Sequence, residues 1–187
     1  MRRRRGGCGC LRGILILPLL VVVGYGLDQA LNAFLFAPWD YGILGRPTLT
    51  GEWTGTLRTY SGVQYAVHLQ LRRSSQFLSD RNAPDLDGHI WWCTRTIPST
   101  AGTITGGVQR LGSNVSLYAR EPAHPRPGLH PWKFEGAWHG STLTLNVMFE
   151  RYLGHGSYGS FPNEFKPVPL TLRKSGYSAY QGACSRL

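Results

Sequence analysis

Residues 49–57 read Leu-Thr-Gly-Glu-Trp-Thr-Gly-Thr-Leu, and residues 63–72 read Val-Gln-Tyr-Ala-Val-His-Leu-Gln-Leu-Arg. In each stretch every second side chain is apolar or glycine, which places these residues on one face of an extended chain. The turn-forming Tyr60-Ser-Gly62 separates the two stretches. Together they predict an antiparallel hairpin with one buried and one solvent-facing side, which indicates an all-β fold.

Further stretches along the chain have extended patterns of the same kind: 86–94, 102–109, 114–119, 132–139, 143–150 and 167–173. His139-Gly-Ser141 predicts a two-residue hairpin loop. Residues 121–128 and 154–162 are rich in Pro and Gly and predict irregular connections, and no long helix is predicted after Trp39. Eight strands in sequence order predict an all-β fold, an antiparallel up-and-down barrel of about eight strands. A two-sheet β-sandwich is the alternative, because periodicity alone does not distinguish them.

Composition limits the class of protein. The 187 residues are 42% hydrophobic and only 16% charged, which supports one packed domain and argues against a coiled coil or a disordered chain. The formal net charge is +10, and five basic residues lie within the first twelve positions. The moderately basic remainder favours anionic partners such as phospholipid headgroups or acidic polymers, or serves solubility alone. It has no clustered stripe of Arg and Lys, so we expect no nucleic-acid partner.

The N-terminus has the pattern of a membrane-targeting segment. Arg2 to Arg5 precede an uncharged apolar run over 14–27, and 30–39 is again mostly apolar. We predict a basic cytoplasmic N-terminus over 1–12, a single transmembrane signal-anchor helix over 13–38, and an extracytoplasmic domain over 39–187. The alternative is a signal peptide ending near Leu27, whose cleavage would release a secreted protein.

Two cysteines follow the predicted anchor. Cys93 and Cys184 would both lie in an oxidising compartment, where a disulfide forms and persists. We therefore predict a bridge between the C-terminal tail and the third strand, which by loop-closure entropy would stabilise the fold by about 4 kcal/mol. The alternative is two separate buried thiols.

The first strand also carries a family resemblance. Leu49-Thr-Gly-Glu-Trp-Thr-Gly55 resembles the Gly-x-Trp start of the calycin barrels, the lipocalins and avidins, with Gly51 and Trp53 in the matching positions. The resemblance implies that Trp53 plugs one end of a barrel able to hold a small apolar ligand. A second lipocalin motif and the biotin-contacting residues of avidins have no counterpart in this chain.

Aromatic residues form the candidate binding site. Six of them lie on predicted inner faces, where they either surround a small apolar ligand or fill a core: Trp53, Tyr65, Trp132, Phe134, Trp138 and Phe149. Trp91 and Trp92 are adjacent in a strand, so one is expected on the outer surface as a partner contact.

The histidines and acidic residues do not form a recognisable catalytic or metal-binding pattern. His68 and His139 fall on predicted solvent faces, and Gly154-His-Gly-Ser-Tyr-Gly159 is followed by a strand rather than the helix that a dinucleotide site requires. We therefore predict no enzyme activity, metal or cofactor.

The sequence predicts a membrane-anchored barrel that binds a small apolar ligand or lipid. The alternative is a structural or assembly subunit of a membrane complex, which would contact an envelope protein through the outer face of its barrel.

Overall fold

Within the described residues, nine β-strands and a short C-terminal helix form the domain that follows residue 48. The computed structural model describes residues 20–27, 31, 39–40, 48–75, 84–109, 113–120, 128–154, 157–159 and 166–187. The strands are β1 (Gly51–Arg58), β2 (Gln64–Arg73), β3 (Leu86–Thr94), β4 (Thr100–Val108), β5 (Asn114–Arg120), β6 (Gly128–His139), β7 (Thr142–Gly154), β8 (Ser157–Gly159) and β9 (Val168–Lys174). The C-terminal helix is Tyr177–Cys184.

The strands close into a ring. Each strand from β1 to β7 pairs antiparallel with the next, and β9 pairs with both β7 and β1. The result is a closed, eight-stranded, antiparallel up-and-down barrel, as predicted, and the β-sandwich alternative is wrong. Closure leaves the eight main strands without a free edge along the ring.

The alternating apolar residues of the β1–β2 hairpin lie in the barrel interior. Leu57 lies opposite Tyr65 and Trp53 opposite Leu69, and all four side chains are buried. Glycines let neighbouring strands approach closely: a Cβ atom at Gly106 or Gly136 would collide with the carbonyl oxygen of Ser116 or Thr144. Such positions allow a sheet to bend into a narrow barrel.

The structure changes two predictions about local structure. Part of the segment 154–162, predicted to be irregular, is β-structure, because β7 continues to Gly154 and Ser157–Gly159 pairs with it as β8. The C-terminal helix was also not predicted from the sequence. This helix has no side-chain N-cap and no acidic residue in its first turn, so the usual signals of a helix start are missing.

Most of the predicted anchor, 13–38, and the segment 121–127 lie outside the described residues. Residues 20–27 are helical, with exposed side chains. Within the described part of the chain, no helix has both the length and the apolar character needed to cross a bilayer.

Two buried indoles differ in their hydrogen bonding. Trp53 Nε1 donates to the carbonyl oxygen of Leu49 at 2.7 Å. Trp92 is equally buried, but its Nε1 has no hydrogen-bond partner among the described residues. A buried donor without a partner loses its hydration without compensation.

We predict that Trp53→Phe destabilises the barrel by roughly 1–2 kcal/mol more than Trp92→Phe, because only the first substitution breaks a hydrogen bond and leaves a buried carbonyl unsatisfied. Denaturant unfolding of both variants with the disulfide intact measures the difference. The two substitutions remove the same atoms, so each is the control for the other. An equal or larger loss in Trp92→Phe would contradict the expectation.

Candidate functional site

The barrel has two distinct ends. We call the end that contains the start of β1 and the β6–β7 hairpin the entry end, because Trp39 docks there: its carbonyl oxygen accepts a hydrogen bond from the amide of Leu49 at 2.8 Å, and its side chain belongs to the core. The opposite end, where β1, β3 and β5 finish, is the far end.

Trp53 closes the entry end. Its ring is fully buried, and Lys174 Nζ lies 5.0 Å from the ring centroid, within the range of a cation–π interaction. Lys174 Nζ also donates to the carbonyl oxygen of Thr50 and, at 3.2 Å, to the hydroxyl of Thr48. Partial burial lowers the pKa of Lys174. The cation and Trp53 together make this end a plug.

The interior is a packed core. Tyr65 and Phe149 lie with their ring centroids 5.1 Å apart, and Trp92 and His130 with theirs 5.9 Å apart. These four residues and Phe134 are at most 3% exposed. A ligand chamber would leave free surface on the rings that line it, so the aromatic side chains of the described barrel fill its interior themselves.

The six aromatic residues predicted to face inward do not all lie inside the barrel. Trp53, Tyr65, Phe134 and Phe149 are buried in the interior, as predicted. Trp138 is half-buried against the core at the entry end, where its Nε1 donates to the carbonyl oxygen of Gly140 at 2.6 Å.

Trp132 was predicted to face inward, and this is wrong. A register shift between Pro131 and Lys133 interrupts the alternation of β6. A bulge of this kind re-aims the side chain of the extra residue. The half-buried Trp132 lies with its ring centroid 6.4 Å from that of Tyr118, an exposed residue of β5. Periodicity at the start of β6 gave no signal of the bulge.

Trp91 and Trp92 take opposite faces, as their adjacency predicted. Trp92 is the inward member and belongs to the core with His130, and neither was among the predicted inner residues. Trp91 faces outward but is half-buried, because the C-terminal helix covers it: the ring centroids of Trp91 and Tyr177 are 5.5 Å apart.

A groove of about 930 Å³ lies on the outer wall of the barrel at the entry end. Two rows of residues line this groove. The first row crosses from β4 to β7: Gly107 lies opposite Ser116, Ser116 opposite Glu135, and Glu135 opposite Asn146. Asp85 closes the row, since its carboxylate lies 3.3 Å from the place of a Cβ atom on Gly107. The outer surface is concave here because Gly107 and Ser116 are small.

A second row runs parallel to the first. Asn114 lies opposite Ala137, and Ala137 opposite Thr144. Asn114 Nδ2 donates to Gln109 Oε1 at 3.1 Å, and His139 lines the groove beside the β6–β7 hairpin. Amide, hydroxyl and imidazole groups therefore surround a floor of small side chains.

The two carboxylates of this outer groove are held in place. Asp85 Oδ2 accepts a hydrogen bond from the amide of Val108 at 2.9 Å. Glu135 Oε1 lies 2.7 Å from Lys133 Nζ, and this hydrogen bond raises the pKa of Lys133. The groove thus offers fixed hydrogen-bonding groups. Within the described residues, no three His, Cys, Asp or Glu side chains are grouped closely enough to hold a metal ion.

The predicted disulfide is confirmed. Cys93 on β3 is bonded to Cys184 in the last turn of the C-terminal helix, with the two Cα atoms 6.0 Å apart. The helix packs on the outer faces of β1 and β2 through Tyr180 and Ala183, and Ala66 lies beneath it. Ser99 and the Tyr180 hydroxyl are hydrogen-bonded at 2.8 Å.

His68 was predicted to face solvent, and this is wrong. Its side chain does lie on the outer face of β2, but the helix buries it to 1% exposure. The rings of Trp91, Tyr177 and Tyr180 surround it at 5.4 to 5.8 Å between centroids. His68 Nδ1 and Thr54 Oγ1 are hydrogen-bonded at 2.8 Å. His139, by contrast, is exposed as predicted.

Burial lowers the pKa of His68 below its usual value, and the nearby carboxylate of Glu52 opposes the shift only in part. The neutral imidazole is therefore the form that fits beneath the helix. In the unfolded chain His68 binds its proton near pH 6.5. The stability from burying the neutral ring is complete above that pH and is lost as the pH falls towards the lower pKa of the folded state.

We predict that the protein becomes less stable between about pH 7.5 and 5.5, and that His68→Gln loses less stability over the same interval. Denaturant unfolding at several pH values measures the slope for each protein. His139→Gln is the matched control and should follow the wild type. Burial also raises the pKa of Glu150, which acts in the opposite sense, but this group is common to all three proteins. An unchanged slope in His68→Gln would contradict the expectation.

No family model and no curated protein matches the chain. Among solved structures, a de novo designed fluorescence-activating β-barrel is similar to it, with a TM-score of 0.40 and 9% sequence identity, over 68% of this chain and 94% of the designed one. The assignment of the barrel rests on the strand pairing described above and not on this likeness.

Proposed function

We propose that this protein is a membrane-anchored, extracytoplasmic binding module that holds a protein partner in its outer groove, as an assembly subunit does, rather than a ligand inside its barrel. The observation that carries the proposal is the contrast between the two surfaces. The interior aromatic rings are packed against one another, whereas the outer wall has a groove of about 930 Å³ with hydrogen-bonding walls. Clefts that bury a bound ligand have volumes of about 300–1,000 Å³, and we propose a peptide segment of the partner as the occupant of this one.

The sequence supports the anchoring. Arg2 to Arg5 and the apolar residues that follow them have the charge pattern of a segment whose N-terminus stays in the cytoplasm. The disulfide between Cys93 and Cys184 suits an oxidising compartment on the other side of the membrane.

The contacts of Trp39 support a position for the groove close to the bilayer. The predicted anchor ends at residue 38, and Trp39 is already buried in the core at the entry end. Asp40 then forms an ion pair with Arg73, 3.3 Å apart, at the end of β2. With no spacer between anchor and barrel, the entry end would be held against the membrane. The outer groove opens at this end, where a neighbouring membrane protein would reach it.

To test this function, we would place the photo-crosslinker p-benzoylphenylalanine in the full chain, in the membranes of the cells that make it. At Asn146, an exposed residue of the outer groove, we expect one discrete protein adduct. Gln70 is the matched control, because it is an exposed amide on β2, two strands away from β4. Equal labelling at the two positions, or no adduct at Asn146, would overturn the proposal.

A ligand inside the barrel is the second candidate. The buried Trp92 Nε1 favours it, because this donor has no hydrogen-bond partner among the described residues, and a small apolar molecule with one acceptor atom would satisfy it. Native mass spectrometry of the purified chain tests this idea. A bound mass that is lost on denaturation, and is weakened in Trp92→Phe, would support an interior ligand, and a clean protein mass would exclude a tightly held one.

A further inference from the structure

Among the described residues, positive charge is concentrated at the far end of the barrel. Six described cations lie at the strand ends and connections there: Arg58, Arg95, Arg120, Arg151, Lys166 and Arg186. Arg186 belongs to this group because the chain after the helix returns to Arg58 and Gln64. Among the described residues, Glu150 is the acidic side chain at this end, and burial raises its pKa.

The entry end is balanced by comparison. Its four described cations, Arg72, Arg73, Arg173 and Lys174, are matched by four carboxylates, those of Asp40, Glu52, Asp85 and Asp87. Lys133 and Glu135 lie between the ends and pair with each other. The excess positive charge of the described barrel therefore belongs to the far end.

Two of the four described cations at the entry end form ion pairs, Arg72 with Asp87 and Arg73 with Asp40. At the far end Arg95 and Arg120 are exposed, and neither forms an ion pair within the described residues. Exposed guanidinium groups without a carboxylate partner remain available for bidentate contacts to an external anion.

The far end also presents an aromatic ring. Tyr60 is 67% exposed in the β1–β2 turn, and Lys166 Nζ lies 6.0 Å from its ring centroid. The Tyr60 hydroxyl donates to the carbonyl oxygen of Pro167 at 3.3 Å, which holds the ring in place. An aromatic face beside a cation can stack on the apolar face of a sugar while the cation contacts a charged substituent.

We propose that the far end binds an anionic polysaccharide of the extracytoplasmic space, through Arg58, Arg95, Arg120 and Lys166. We favour a polysaccharide over a lipid surface because Trp39, the residue that follows the predicted anchor, packs into the opposite end of the barrel. The far end would then point away from the protein's own membrane, a step that rests on the proposed anchoring. The concentration of charge is independent of that step and of the outer groove, so failure of the crosslinking experiment leaves this proposal standing.

The test uses the full chain in nanodiscs of neutral phosphatidylcholine and immobilised heparin as the probe. We expect binding that weakens as NaCl is raised above about 0.1 M. In Arg95→Gln/Arg120→Gln the dissociation constant should rise about tenfold, and the slope of log affinity against log salt should fall by about 1 to 2. Both side chains are exposed, so the melting temperature should not change.

The control variant Arg72→Gln/Arg173→Gln removes the same charge from the entry end, and its affinity for heparin should stay within about twofold of the wild type. An equal loss of heparin affinity in the two variants would show that net charge alone sets the affinity. This result would overturn the proposal. Absence of heparin binding at low salt would also overturn it. A far-end variant that keeps heparin binding but no longer binds phosphatidylserine vesicles would assign this end to a membrane instead.

Discussion

The pairing of β1 with β9 closes the barrel, and both the plugged entry end and the position of the C-terminal helix follow from it. The β1–β2 ladder runs from Gly51 opposite Leu71 to Arg58 opposite Gln64, whereas the β1–β9 ladder has the pairs Trp53–Lys174 and Thr54–Arg173. So short a ladder contributes few backbone hydrogen bonds, and side chains supplement it. Lys174 stacks over Trp53 and bonds to the loop before β1, so the contacts that close the ring also plug the entry end.

The residues after β9 attach the C-terminal helix to the outer wall of the closed barrel. The amide of Ser175 donates to the carbonyl oxygen of Glu52, and the amide of Tyr177, the first helical residue, donates to the Glu52 carboxylate. A carboxylate at this position satisfies a free helical N–H and complements the helix dipole. The helix therefore starts where β9 meets β1 and ends where Cys184 is bonded to Cys93, and the burial of His68 between these points follows from both attachments.

The barrel could be predicted from the sequence because the alternating patterns of its strands are local. Alternation over 49–57 and 63–72 predicts which side chains of β1 and β2 are buried, and the Cys93–Cys184 bridge was expected from the predicted oxidising compartment and the number of cysteines. The errors come from non-local causes. The solvent-facing assignment of His68 failed because the C-terminal helix forms through Glu52, a residue far away in sequence. The inward assignment of Trp132 failed because one residue of β6 bulges at Pro131. The outer groove depends on rows that cross four strands, and no stretch of sequence shows them.

Because the interior is packed with side chains, the outer surface of the barrel is the better candidate for a binding site. In an eight-stranded barrel the interior is just wide enough to be filled by side chains, and here Trp53, Trp92 and Phe134 fill it. The resemblance of Gly51 and Trp53 to the calycin start is matched by the plug at the entry end, but not by a chamber above it. What then distinguishes this surface is its asymmetry along the barrel axis. The entry end combines the docked Trp39, balanced charge and the outer groove, and the far end carries the excess cations. If the proposed anchoring and both proposed interactions hold, these two ends of different chemistry would join two partners, one beside the membrane and one away from it.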